Sequence, residues 1–150
     1  MIMTDKIQIN VSIDSILERR FSIVDSSLLP SNDIVDRLKV NHLIDTEIDT
    51  NSHKLTVDAG VKYFFVEQTL CELIISIVFL LEPFDSLIKI DSDQRTISFS
   101  AEFIPTLLNA AYGTLRGVLS EKTKGTPLAA FPLQMAQIDE LTKMNRFRVR

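Results

Sequence analysis

The chain has 150 residues, of which 45% are hydrophobic and 24% charged, with a formal net charge of −4. That is one domain's worth of chain with enough apolar content for an ordinary core, which excludes a disordered protein, and the acidic balance argues against a nucleic-acid-binding body. A single cysteine, Cys71, excludes an internal disulfide framework and a multi-cysteine zinc site.

The opening residues, MIMTDKIQIN, contain no apolar core, so no signal peptide is expected. The most apolar run, Leu73 to Leu81, spans 9 residues, and a bilayer-spanning helix needs roughly 20. A cytoplasmic location follows as the expectation. The mean hydropathy of +0.15 is on the apolar side, which hints at extra buried surface between subunits. With no repeat and no low-complexity linker, residues 1–150 read as one domain whose last ten or so residues, from about 141, form a basic tail.

Ile7, Ile9, Val11 and Ile13 alternate with polar residues, the pattern of a half-buried strand. It continues past an interruption at DSILERR into FSIVD. SSLLPSND, with Pro30, reads as a loop. Alternation returns from Lys39 to Asp49, with Val40, His42, Ile44, Thr46 and Ile48 on one side. DTNSHK is a turn signal, after which Leu55, Val57, Ala59, Val61, Tyr63 and Phe65 share a face. Leu70 to Leu81 is too continuously apolar for one solvated face and reads as a central strand covered on both. SLIKIDSDQRTISFS fits a short hairpin or the lead into a helix.

Ile104, Leu107, Leu108, Ala111, Leu115, Val118 and Leu119 recur at steps of three and four, an amphipathic helix. Ser100 is the candidate N-cap, Pro105 fits the first turn, and Gly125 followed by Pro127 stops the helix. Opposite the leucine stripe lie Ala110, Gly113 and Gly117. Glycine costs about 1 kcal/mol against alanine in a helix interior. The smooth face therefore either relieves crowding under a loop of the same chain or admits a second helix from another copy. The remainder begins as an apolar loop and is expected to form a short helix from about Met135 to Met144.

Chemical motifs are few. DSDQRTISFSAE places Asp91, Asp93 and Glu102 at EF-hand positions, but Thr96 stands where that loop needs glycine and Arg95 at a ligand position, so a turn is expected instead of a metal site. Cys71 reads as an inert core thiol. His42 reads as a structural, hydrogen-bonded histidine and His53 as a turn residue. KTKGTP lacks the spacing of a phosphate loop. No nucleophile, base and orienter assemble, so neither an enzyme nor a cofactor is expected. RFRVR reads as a solvated basic tail.

In their order, four antiparallel strands, a long helix stopped by Gly-Thr-Pro, a proline-punctuated apolar loop and a short final helix resemble the SecB export-chaperone family. The likeness is best at TEIDT (Thr46 to Thr50), at TLCELIISIVFLL, and at FIPTLLNAAYGTLRGVLSEKTKGTPLAAFPLQMAQIDEL. The resemblance implies an α+β fold, with a four-stranded antiparallel sheet packed on one long helix plus a short C-terminal helix. It also implies a homotetramer with the long helices between sheets, meeting at Ala110, Gly113 and Gly117. The implied function is an ATP-independent holdase that keeps preprotein-like or unfolded polypeptides in apolar grooves. Leu128, Phe131, Leu133 and Met135 fall on the family's groove loop; by their composition alone they either pack on the core or present a groove.

Leu70 and Glu72 match part of the acidic face that docks the SecA motor in that family. Arg20 and Val24 stand where two further acids are expected, and the acidic C-terminal extension is replaced by NRFRVR. Engagement of a SecA-like motor is therefore not expected, and an antitoxin client is as consistent as an exported one. The alternative reading is an α+β small-molecule-binding domain with a pocket between sheet and helix. A protein docking one fixed partner is a third.

Overall fold

The computed structural model describes residues 9–25, 38–99, 103–130, 133 and 138–149. Four long strands come first: β1 (Asn10–Ile23), β2 (Leu38–Asp49), β3 (Lys54–Phe65) and β4 (Gln68–Glu82). A single helical turn, α1 (Phe84–Leu87), leads into the hairpin β5 (Ile88–Asp91) and β6 (Thr96–Phe99). Then follow the long helix α2 (Ile104–Lys122), a 3-10 turn (Pro127–Ala130), the short helix α3 (Ile138–Met144) and a last strand, β7 (Arg146–Val149).

The fold is α+β, but its main sheet has five strands in the order β1-β4-β3-β2-β7 rather than the four expected. The additional strand is the basic tail. β7 pairs parallel with β2, whereas the other neighbours are antiparallel. Alternating Arg146, Phe147, Arg148 and Val149 lie beside Asp45, Thr46, Glu47 and Ile48, so charges of opposite sign share one face and apolar groups the other.

Period-two patterning decides which face is the core. Leu55, Val57, Ala59, Val61 and Tyr63 of β3 and Cys71, Leu73, Ile75, Ile77, Phe79 and Leu81 of β4 are all buried on the side where α2 packs over β3 and β4. From α2, Leu107, Leu108, Ala111, Tyr112, Leu115 and Leu119 close the layer. β4 is central, as expected, but its second face is only half covered: Glu72, Ile74, Val78 and Leu80 are partly exposed. Ser76 alone is fully buried there. It donates to Asp58 Oδ1 and accepts from Arg19 Nε at 2.8 Å.

Turns follow side-chain chemistry. Asp49 Oδ1 accepts the amides of Asn51 and Ser52 at 3.0 and 3.2 Å, and Asp91 Oδ1 those of Asp93 and Gln94 at 3.0 and 3.1 Å. Both are Asx turns, so residues 91–99 of the EF-hand-like stretch form the β5–β6 hairpin turn and strand β6. α2 starts at Ile104 with Pro105 in its first turn and Phe103 at the N-cap position, without a side-chain cap; Ser100 lies outside the described residues. Past its end, Gly125 has φ +80°, a conformation open to glycine at little cost.

Gly60 matters for a different reason. A Cβ there would sit 3.1 Å from Ile74 Cγ1, 3.3 Å from Leu43 Cβ and 3.3 Å from the Leu73 carbonyl oxygen. Its absence lets β2 and β4 side chains close over the middle of β3. Gly60→Val is expected to destabilise by about 1–3 kcal/mol through overpacking, read as a lower urea midpoint with an unchanged slope.

Both tyrosines of the chain, Tyr63 and Tyr112, are buried. Burial pushes each phenol up to about 12, helped for Tyr63 by the Cys71 and Tyr112 groups beside it and opposed for Tyr112 by Arg116. An unfolded phenol ionises near 10, so above that pH the unfolded state holds fewer protons and stability falls as pH rises. Tyrosinate absorbance should therefore appear only near pH 12 or at unfolding, whichever comes first. Titration of either phenol near pH 10 in the folded protein would contradict this packing.

Candidate functional site

β1 is the feature that composition alone does not explain. It is an edge strand of 14 residues, and nearly all of it is exposed. Its register against β4 shifts between Ile13 and Ser15 and again between Glu18 and Arg20. Each shift inserts one residue, Asp14 and Arg19, and so resets the alternation. Val11 opposite Leu81, Ile13 opposite Phe79, Ile16 opposite Ile77 and Phe21 opposite Leu73 consequently all lie on the α2 side of the sheet. The interruption at DSILERR is thus a pair of bulges that keep an apolar row on one face.

Three members of that row remain open: Val11 is 41% exposed, Ile13 50% and Ile16 48%. Val11 and Ile13, together with Ile9, form one wall of a groove about 520 Å³ in volume and open to solvent, floored by Phe79. The opposite wall is the start of α2, where Phe103, Leu107 and Ala110 stand with Thr106 as the one polar side chain. Toward the far end of α2, Lys122 Nζ meets Glu18 at 2.8 Å and lies 5.0 Å from the Phe21 ring centre.

The α2 wall runs into the smooth face. At about 100° per residue, Thr106, Ala110, Gly113 and Gly117 fall within roughly 60° of one another, opposite the buried stripe. Ala110, Gly113 and Gly117 are exposed, and nothing stands within 4 Å of where a Cβ would be at either glycine. Among the described residues, then, no loop requires those glycines.

The apolar loop after α2 has a different arrangement. Leu128 and Leu133 are buried in the protomer's own core, and Arg116 Nε donates to the Leu133 carbonyl at 2.9 Å. With Tyr63 and Leu119 they border a cavity of only about 70 Å³. Of the two readings that the sequence left open for these two leucines, the protomer shows core packing, because the 3-10 turn folds Leu128 back under α2. Phe131 and Met135 lie outside the described residues.

Leu70 is also buried, and Glu72 is held by Arg20 at 3.1 Å and Lys62 at 3.6 Å. The carboxylate that the resemblance marks for motor docking is thus neutralised within this sheet by a basic residue at one of the positions where an acid was expected. His42 Nδ1 is 3.3 Å from Tyr112 Oη, and its pKa is lowered by burial against a smaller opposing pull from Glu140. Cys71 is fully buried, and burial with Glu72 nearby pushes its thiol up to about 11. Among the described residues no three His, Cys, Asp or Glu side chains converge as metal ligands, and no helix is long and apolar enough to cross a membrane.

The groove on β1 was missed in the sequence, although its residues were seen as an alternating strand. The pattern states which side chains share a face, but it does not state that the strand is an edge lying beyond the reach of α2. The break at DSILERR was the available signal.

No protein-family model and no curated protein sequence matches this chain. Among solved structures it is similar to the Mycobacterium tuberculosis Rv1957 SecB-like chaperone, solved in complex with a ChAD peptide from the Rv1956 HigA1 antitoxin: 13% identity, 85% of this chain and 86% of that one, TM-score 0.42. It is also similar to a protein of unknown function from Streptococcus agalactiae at 10% identity, over 87% of this chain and 98% of that one, with a TM-score of 0.39.

Proposed function

We propose that this protein is a non-enzymatic, nucleotide-independent holdase that binds extended, unfolded polypeptide segments through the open apolar surface of β1 beside α2. The observation that supports this reading is the groove itself. Soluble proteins do not ordinarily leave a row of large aliphatic side chains half exposed along an apolar trough. A client side chain buried there gains about 1.5–3 kcal/mol before ordering costs, and an apolar wall accepts many sequences because it asks for no particular hydrogen bond. By the SecB resemblance alone, Phe131 and Met135 are further candidates for client contact. A preprotein or an antitoxin suits such a surface equally, and the reading includes no motor.

The working form is proposed to be a homo-oligomer, a tetramer by the SecB resemblance, in which Ala110, Gly113 and Gly117 of one α2 face a helix of another copy. Small residues in a line let two backbones approach closely. The glycines, which no contact among the described residues requires, favour this over a monomer.

One observation favours the small-molecule reading: about 520 Å³ between sheet and helix is within the usual range for ligand pockets. Such pockets also carry a few convergent polar groups to orient the ligand, and here only Thr106 could serve. The two readings separate in one assay. A model protein diluted from denaturant without nucleotide should stay soluble at near-equimolar holdase. Failure to hold it, with saturable uptake of a small apolar probe by a monomer, would favour the pocket.

A further inference from the structure

The side of the sheet away from the β1 groove ends in β2 and the short strand paired to it. The occupant of the β2 edge in the protomer is β7, a strand of only 4 residues that cannot extend upstream, because α3 ends at Met144 just before it. Its charge anchor is one guanidinium: Arg148 stands 3.8 Å from both Glu47 and Asp58 and is itself 61% exposed. Exposed pairs of this kind contribute little, and parallel pairing is slightly weaker per residue than antiparallel. At the junction, Asn145 Oδ1 accepts from Thr46 Oγ1 at 2.6 Å, while the buried Asn145 Nδ2 has no hydrogen-bond partner among the described residues. An unmet buried donor weakens the docking further. Elements with few buried contacts open at low free energy.

The acceptor, by contrast, is well defined. On one face Asp45 and Glu47 of β2 and Asp58 of β3 line up as acids, while Thr46 and Ile48 alternate with them toward the core. Phe147 sits on that core side with its ring 5.1 Å from Phe99. The edge therefore reads an extended strand in which cationic and apolar residues alternate, with main-chain hydrogen bonds supplying affinity and the two faces supplying selectivity. Residues 38–44 of β2 pair with no strand on this side among the described residues, so an external segment longer than β7 has further backbone to pair with.

We infer that the β2 edge is a docking site for an extended client segment of alternating basic and apolar residues, and that β7 covers it in cis as a displaceable mimic of that segment. This deepens the holdase reading and rests on it. The competing occupant is β7 of a second copy.

The test uses the full chain, wild type and carrying Phe147→Ser with Arg148→Glu, which loosens β7 without touching the acceptor. A fluorescein-labelled peptide NRFRVR and a scrambled peptide of the same composition are titrated and read by anisotropy, with circular dichroism to verify the fold. The variant is expected to bind the ordered peptide at least about tenfold more tightly than wild type does and more tightly than the scrambled one. Adding Asp45→Lys and Glu47→Lys should remove that binding. Equal affinity for both peptides, which is charge attraction alone, or no gain over wild type, overturns the inference. So does peptide binding that merely splits a larger wild-type assembly, the signature of exchange between copies. Suppression of client aggregation is measured on the same wild-type sample. If it is present and the peptide result is negative, this inference fails alone; if both are absent, the holdase reading fails with it.

Discussion

Val11→Asp combined with Ile13→Asp is expected to abolish holding while leaving the protomer folded. The two side chains are 41% and 50% exposed, so a bound client has nearly half of their area still to bury. Losing both removes about 1.5–3 kcal/mol of client burial, roughly ten- to a hundredfold in affinity, and sets two carboxylates where an apolar side chain must enter. Stability should change by no more than about 1 kcal/mol, because substitutions on an exposed edge strand disturb little packing. Denaturant unfolding and aggregation suppression, measured together, check both halves. A variant that still holds its client would remove β1 from the mechanism, and a variant that unfolds would show that β1 is held more tightly than its exposure implies.

The second large effect concerns α2. Gly113→Leu with Gly117→Leu adds side chains where nothing among the described residues stands within 4 Å of the new Cβ. By helix propensity alone the isolated protomer should gain up to about 1 kcal/mol per glycine replaced. If the smooth face meets a second helix, the same leucines hold the backbones apart, and solution mass by light scattering should fall toward the protomer while the secondary structure persists. An unchanged mass with a raised melting temperature would show that no copy packs there. The groove shares Ala110 with this face, so a change in mass is expected to alter client affinity as well.

Most of the sheet was legible because β3 and β4 bury one face against α2 and β2 lies against α3, and a period of two survives in such strands. Ile44 to Ile48, Leu55 to Tyr63 and the odd-numbered residues of β4 fall on the core side as their alternation indicates. α2 was legible for the same reason, with its buried stripe and with Gly125 beyond its end. What escaped depends on partners distant in sequence. NRFRVR looks like a solvated tail until Asp45, Glu47 and Asp58 are beside it, for no local pattern distinguishes a four-residue basic strand from a basic coil. Leu128 and Leu133 have the composition of a loop that could face either way, and only the return of the chain beneath α2 buries them. The open row on β1 needed two facts no local window contains, that β1 is the edge and that its two bulges hold Val11, Ile13 and Ile16 on the side of the helix. Even the covered second face expected for β4 failed for a non-local reason: nothing among the described residues lies over Ile74, Val78 and Leu80 as fully as α2 lies over the first.

The placement of the client surface is tested most directly by position-specific photo-cross-linking. A benzophenone side chain is introduced at Ile13, in the groove, and separately at Leu43, which is 38% exposed on the opposite face of the sheet. Each variant is illuminated with a permanently unfolded, labelled polypeptide in the absence of nucleotide. Cross-links to the polypeptide from position 13 and not from position 43 are the expected result. Equal yields from both positions, or cross-links from 43 alone, would contradict the assignment of the β1 groove as the surface that binds unfolded chains.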